Sequence, residues 1–298
     1  MHIERLKVYQ FRNHPEQEIF PHRTVNVFYG ENGAGKTNLL EAVHFCAVGR
    51  SHRTNQDREC VSKDQKYALS SVDVRKNTGK HSISVQLKPD EERKKTVYLD
   101  RSRAARLSEM MSILQCVMFS PEDLQLVKGS PSLRRRWLDM MISQTSRDYF
   151  IALQRYHRGL DQRNALIRQL RLEHRGALDM LGLFEKTMAE NGEIILAERK
   201  RFLSEIQREA RSCYERISGR TEEQFQLRYL SCAKEQDKAA SVMQKRWEIS
   251  REEDIQRGTT LFGPHREDIG LSLRDRDMRL FASQGQCRTA VLRLKLAQ

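Results

Sequence analysis

Residues Gly30-Glu31-Asn32-Gly33-Ala34-Gly35-Lys36-Thr37 fit the pattern GxxxxGK[ST], and no other stretch restricts the fold of this chain so tightly. Before it, Thr24 to Tyr29 (TVNVFY) is β-branched and aromatic; after it, Asn38 to Val48 (NLLEAVHFCAV) opens a helical pattern. The segment therefore reads as strand, glycine loop, helix. Gly30, Gly33 and Gly35 let the backbone turn tightly and aim its N–H groups inward, where they and the helix N-terminus hold a polyphosphate. Lys36 would reach the outer phosphates, and the Thr37 hydroxyl would take a place on Mg²⁺. A plain connecting turn is the weaker alternative, because the whole motif sits in its confirming context.

The 298 residues suffice for a sizeable core divided into two lobes, and the formal charge of +13 suits a polyanionic partner. Well-solvated basic helices would give the same charge. Cys46, Cys60, Cys116, Cys213, Cys232 and Cys287 show no C-x-x-C pair and no tight spacing with histidine, so reduced thiols are expected rather than a disulfide framework or a metal site. The N-terminus MHIERLKVYQF has charges where a signal peptide needs apolar residues, and no run is long and apolar enough to span a bilayer. A soluble cytoplasmic protein is the expectation.

From Met1 to about Met118 the pattern is short strands around one phosphate-loop helix. His2 to Phe11 alternates imperfectly, while Leu69 to Val74, Ser82 to Leu87 and Thr96 to Leu99 alternate well. Charged, turn-prone pieces at Asn77-Thr78-Gly79-Lys80 and Pro89 to Lys95 predict antiparallel hairpins. A buried strand is expected to end near Cys116-Val117-Met118-Phe119, followed by helix starts at Ser120-Pro121 and Ser130-Pro131.

Beyond Ser130 the composition turns to Arg, Glu, Leu and Gln, with few glycines, which predicts a helical insert. Leu153, Tyr156, Leu160, Ile167 and Leu170 keep helical spacing, as do Leu181, Phe184, Met188, Ile195, Phe202, Ile206, Cys213 and Ile217, with Gly219 as a stop. Phe225 to Leu230 is a candidate strand in an otherwise ambiguous stretch. Gly263-Pro264 breaks the chain before the alternating Ile269 to Leu273, and a helix-like run covers Arg288 to Gln298. Ser283-Gln284-Gly285-Gln286 ahead of that run has the S-x-G-x form that offers a hydroxyl, a small residue and a helix N-terminus to an anion.

Phe11-Arg12-Asn13, the stretch Gly30 to Ala42, Gly49-Arg50-Ser51-His52-Arg53-Thr54, Phe119-Ser120-Pro121-Glu122-Asp123, Gly263-Pro264-His265-Arg266 and Phe281 to Gln286 together resemble the RecF family of bacterial DNA replication and repair proteins, in family order over nearly the whole chain. The resemblance implies an α/β fold: a P-loop ABC-type ATPase head with a mixed sheet, related to the SMC-like ATPases, and an inserted, mostly α-helical lid. Residues 1–118 would form the first part of the ATPase lobe, 119–258 the lid, and 259–298 an incomplete last part of the lobe.

It also implies ATP and Mg²⁺ as cofactors, an ATP-dependent homodimer, and binding of single-stranded and gapped or junction DNA. RecR- and RecO-type mediators are the implied partners, and RecA loading at gaps, fork maintenance and the SOS response the implied roles. Gly30 to Thr37 would bind ATP, with Thr37 on the metal, while Ser283, Gln284, Gly285 and Gln286 would contact the nucleotide of the opposing subunit. Arg12, Ser51, His52, Arg53 and Thr54 would sit beside the nucleotide or the dimer face, or only stabilise the lobe. Candidate DNA contacts, through phosphate charge, are Arg134, Arg135, Arg136, Arg199, Lys200 and Arg201.

The sequence departs from the family pattern at its end: no apolar strand followed by paired acids comes after Ser283, so no catalytic residue is assigned. Weak DNA-stimulated ATP hydrolysis is expected only if the full protein supplies that strand. Two other readings stay open: a non-catalytic module that holds nucleotide and DNA, and a P-loop kinase for a small molecule.

Overall fold

The computed structural model describes every residue except 55, 107–108, 112, 174–177, 219–224, 232–237 and 298, together with the side chains of 173, 178 and 211–218. The expected stop at Gly219, Cys232, and the side chains of Cys213 and Ile217 lie outside the described residues. Contacts divide the chain into two units, Met1–Met118 and Phe119–Gln298.

The first unit is an antiparallel sheet covered by one helix. Strands β1 (His2–Phe11), β2 (His14–Ile19), β3 (Ala68–Lys76), β4 (Gly79–Leu87), β5 (Lys95–Leu99) and β6 (Ser102–Arg103) lie in the order β2-β1-β3-β4-β5-β6. The alternation read from the sequence sets their register: Val72 faces Ile83 across β3 and β4, Val85 faces Val97 across β4 and β5, and Asn77-Thr78 closes the first of these hairpins. Helix α1 (Lys36–Val48) lies against β1, β3 and β4. Its Ala42, Phe45 and Cys46 are fully buried, as are Val72, Val74 and Ile83 of the sheet. Each large apolar side chain so buried contributes about 1.5–3 kcal/mol. Ser70 donates to the Ala42 carbonyl at 2.9 Å, which lets a polar strand residue sit under the helix.

Two expected strands are not formed. Thr24 to Tyr29 is irregular, with Val25, Val27 and Tyr29 at 75%, 76% and 91% exposure, and Cys116 to Phe119 is also irregular, with Val117 and Phe119 exposed. A strand exists only where a neighbour supplies the other half of its hydrogen-bond ladder. Among the described residues the six-stranded order closes without either segment, and every described pairing is antiparallel. The parallel pairing expected of a mixed sheet is therefore not among them.

The second unit is built on helices α3 (Pro131–Thr145), α4 (Arg147–Glu173), α5 (Leu178–Ser218) and α6 (Ala239–Arg257). A three-stranded antiparallel sheet of β7 (Phe225–Leu230), β8 (Asp268–Leu273) and β9 (Arg276–Asp277) packs on α3 and α5. Short helices α2 (Gln125–Lys128) and α7 (Met278–Phe281), with α8 (Gln284–Leu296), complete it. Leu138, Tyr156, Met188, Ile195, Trp247, Ile269, Val291 and Leu294 share one core.

Residues 259–298, expected as the last part of the phosphate-loop lobe, fall in the second unit. Segment β8 pairs with β7, α8 packs on α5, and Lys295 forms a 3.1 Å ion pair with Asp123. Ser120 and Asp123 cap the turn Pro121–Leu124 reciprocally, as the Ser-Pro signature predicts.

Candidate nucleotide-binding site

The loop from Gly30 to Thr37 leads into α1 through Gly35, whose φ of 92° and ψ of 9° are left-handed. A Cβ at that position would fall 2.4 Å from Nε2 of His14 and 2.5 Å from Oδ1 of Asn13, so only glycine fits. Residues Gly30 to Ala34 are exposed, and the first turn of α1 carries no acidic side chain to neutralise the positive end of the helix. Exposed loop amides, an unopposed helix N-terminus and a lysine at its first position form a site that takes a polyphosphate anion. Lys36 donates from Nζ to the carbonyls of Gly30 at 2.9 Å and Glu31 at 2.7 Å, so its amine closes over the loop. Thr37 is exposed in the same turn.

The residues after β1 brace this loop from behind. Asn13 donates to the Gly33 carbonyl at 3.1 Å, and His14 Nε2 lies 3.1 Å from the Gly35 carbonyl. Asn38 donates to Asn13 at 2.8 Å and accepts from Arg53 at 3.0 Å. A chain of side chains thus runs from the segment around Arg53, through the first turn of α1, to the loop backbone.

Beneath this chain lies Glu41, fully buried, on which Arg12, Ser51 and Arg53 converge. Arg12 grips it with Nε at 2.9 Å and Nη2 at 2.7 Å, Ser51 donates to it at 2.5 Å, and Arg53 stands 3.8 Å away. Burial alone would raise this carboxyl, but the hydrogen bonds from Arg12 and Ser51 outweigh it and hold the group below its ordinary range. The Ser51 oxygen also accepts from the amides of Arg53 and Thr54. Arg12 and Ser51 are thereby committed to the helix that carries the loop. Arg53 is 43% exposed at its side chain, and His52 packs edge-on against His44 at 5.6 Å. Glu41, the centre of this arrangement, was not singled out from the sequence. Its position one turn past Thr37 on an otherwise apolar helix face was the available signal.

In the second unit Ser283 caps α8. Its Oγ accepts from the Gln286 amide at 3.3 Å, and the Gln286 side chain accepts from the Ser283 amide at 2.9 Å. Ser283, Gln284 and Gly285 are exposed, so this helix end faces solvent.

The candidate DNA contacts divide sharply. Arg134 is buried in a bidentate pair with Asp268, at 2.7 and 2.8 Å, and Arg199 is buried against Asp139 at 2.7 Å and the Pro264 carbonyl at 2.8 Å. Burial works against the Arg199 charge, but Asp139, Tyr149 and Tyr229 more than offset it, and the guanidinium stays firmly protonated. These two charges are spent inside the fold, which corrects their reading as DNA contacts. Arg135 donates to the Glu267 carbonyl at 2.5 Å, and Arg201 pairs with Glu198 and Glu205 on its own helix. Arg136 and Lys200 are half-buried.

No group of His, Cys, Asp and Glu among the described residues could hold a metal ion by itself. Among the described residues no helix is long and apolar enough to cross a membrane, and Cys46, Cys60, Cys116 and Cys287 are free thiols.

A phosphate loop on a braced helix, beside a sheet and with a helical unit following in sequence, defines a head of the SMC-like class. The family described as the RecF/RecN/SMC N terminal domain matches residues 2–297. The chain is 33% identical over 297 residues to the DNA replication and repair protein RecF of Clostridium kluyveri, covering 100% of this chain and 80% of that one. Against RecF of Lactobacillus delbrueckii subsp. bulgaricus the identity is 38% over 306 residues, covering 100% and 79%. A solved structure described as the recombination mediator protein RecF with ATP, in the RecFOR pathway, superposes with a TM-score of 0.92 at 31% identity, covering 99% and 79%. The chain belongs to the RecF family of DNA replication and repair proteins.

Proposed function

We propose that this protein is an ATP-binding, DNA-binding mediator of recombinational repair. The observation that carries the reading is the loop at Gly30 to Thr37: exposed amides at an α-helix N-terminus with Lys36 in place and no competing acid. ATP fits that chemistry, and a related RecF has been solved with ATP bound. Mg²⁺ would be carried by the nucleotide phosphates and met by Thr37. Ser283 to Gln286 would serve the nucleotide of a second copy, making the dimer ATP-dependent; the exposed, capped N-terminus of α8 supports this. DNA, single-stranded or gapped, is the polyanion the +13 charge suits. Cooperation with RecR- and RecO-type mediators, RecA loading at gaps, fork maintenance, the SOS response and a cytoplasmic location follow from family membership. Hydrolysis is not part of the proposal, because no acid has been assigned to orient water.

The test is retention of gapped DNA and oligomer size by light scattering, with and without Mg-ATP, for the wild type and Lys36→Met. Tighter DNA retention and a doubled mass with Mg-ATP, both lost in Lys36→Met, are expected. Identical behaviour in all four conditions overturns the proposal.

A further inference from the structure

We propose that the exposed side of α4, with Arg158 and Arg168 near its middle and Arg155 and Arg171 on its two flanks, is a docking surface for a nucleic-acid phosphate backbone; this rests on the DNA-binding reading above. All four side chains are exposed, and none makes an ion pair or side-chain hydrogen bond among the described residues. The neighbouring long helix is different: on α5, exposed Arg201 is neutralised by Glu198 and Glu205, three and four residues away. On α4 the position three residues after Arg158 holds Asp161, but the two form no ion pair among the described residues, and the corresponding positions beside Arg155 and Arg168 hold other residue types. Arg155 is flanked at three and four residues by Ile151, Ala152, Arg158 and Gly159, and Arg168 by Asn164, Ala165, Arg171 and Leu172.

The helix thus keeps two like-charged i,i+3 pairs, Arg155 with Arg158 and Arg168 with Arg171, which work against its own stability. The apolar stripe of Tyr156, Leu160, Ile167 and Leu170 seats the helix, and of the four arginines only Arg168 and Arg171 lie against another element among the described residues, at Gly258 after α6. A polyanion explains the like-charged pairs. The two pairs are separated by roughly 20 Å along the axis at 1.5 Å per residue, a span that meets many phosphates of a duplex carrying one charge per about 1.7 Å. Guanidinium favours bidentate phosphate contact, and the exposed amides of Gln154 and Gln162 lie among the arginines as further donors. Asp161 is an exposed acid among these arginines, one against four, and it leaves the balance positive.

The experiment compares the wild type with Arg155→Gln/Arg158→Gln/Arg168→Gln/Arg171→Gln, Gln being a good helix former, and with Lys186→Gln/Arg208→Gln on α5. Anisotropy of labelled gapped duplex and of a single strand is measured with Mg-ATP across a salt series. Nucleotide affinity serves as the folding control. The α4 variant is expected to lose at least roughly tenfold in affinity, and its log-affinity against log-salt slope on duplex should flatten by up to about 3.6, or about 0.9 for each of the four lost contacts. Nucleotide affinity and the α5 control should stay within about twofold of wild type, as no phosphate contact is removed there.

Replacing the four arginines by Lys should restore the slope. Unchanged DNA binding by the α4 variant overturns this inference and leaves the DNA-binding reading intact. Absence of DNA binding in the wild type removes that reading and this inference together. Binding to phosphatidylserine vesicles that is lost in the α4 variant while DNA binding persists would assign the surface to membranes instead.

Discussion

Arg12 and Glu41 meet through two parallel bonds, at 2.9 and 2.7 Å, and the carboxylate they satisfy is fully shielded from solvent. Breaking one side of a buried pair leaves a charge with too few partners, so Arg12→Ala should destabilise the protein by about 3–5 kcal/mol in urea titrations. Glu41→Gln on that background should recover part of the loss. The carboxyl is held below its ordinary range, so its stabilising contribution is complete above that range and is lost as pH falls through the folded value. An acid limb that is shallower in Glu41→Gln than in wild type would confirm it.

Gly33 and Gly35 both have positive φ, 86° and 92°, but only at Gly35 would a side chain meet other atoms. Gly33→Ala should cost about 1–2 kcal/mol of backbone strain and leave the brace intact. Gly35→Ala must also displace His14 and Asn13, so nucleotide affinity should fall by at least tenfold more than in Gly33→Ala, roughly 1.4 kcal/mol of additional binding energy. Equal affinities for the two variants would show that the brace does not set loop geometry.

His265 is held neutral in the second unit. Its Nδ1 accepts from Tyr156 at 2.7 Å, its Nε2 donates to the Thr260 carbonyl at 3.1 Å, and burial lowers its pKa from 6.5 to about 4. Burial outweighs the Thr260 bond, which alone would raise it, and the Arg266 charge adds to the lowering. Between those values the unfolded chain binds more protons than the folded one, so stability is complete above pH 6.5 and falls by about 1.4 kcal/mol per unit toward pH 4, about 3 kcal/mol in all. Melting the wild type and His265→Gln across that window should give a steeper loss for the wild type. Gly263 permits this contact, since its φ is 126° and a Cβ there would lie 2.6 Å from the Tyr156 hydroxyl.

Alternation made β3, β4 and β5 legible because polar and apolar residues interleave along them and local turns join them. The phosphate loop was legible because its glycines and lysine are demanded by backbone geometry and charge together. Thr24 to Tyr29 reads equally well as a strand, but pairing is a property of two segments and one segment's pattern cannot report it. Arg134 and Arg199 were misread among the DNA-contact candidates for another reason: adjacent basic residues were taken as a patch, although neighbours on a helix point in different directions. Arg199 follows Ile195 and Leu196 at helical spacing and precedes Leu203 and Ile206, all buried. Its place on the apolar stripe, rather than its charge, foretold a buried partner.

The same signal marks Arg163, which stands between Leu160 and Ile167 on the buried stripe of α4 and is itself fully buried. It bonds Asp254 at 2.8 Å, Thr260 at 2.8 Å and Glu185 at 2.9 Å, so three segments of the second unit meet on one guanidinium. Glu185 keeps a second cation in Arg251 at 2.5 Å, whereas Asp254, also fully buried, has no other cation among the described residues. Arg163→Met should therefore cost about 3–5 kcal/mol, most of it from stranding Asp254. Asp254→Asn keeps an acceptor for the Leu261 amide, now 3.0 Å from Oδ1, and removes the charge. Combining the two should give a double-mutant coupling of about 1–3 kcal/mol, measured by urea unfolding. Additive losses would mean that Asp254 does not depend on Arg163, and that packing of α4, α5 and α6 alone holds the unit together.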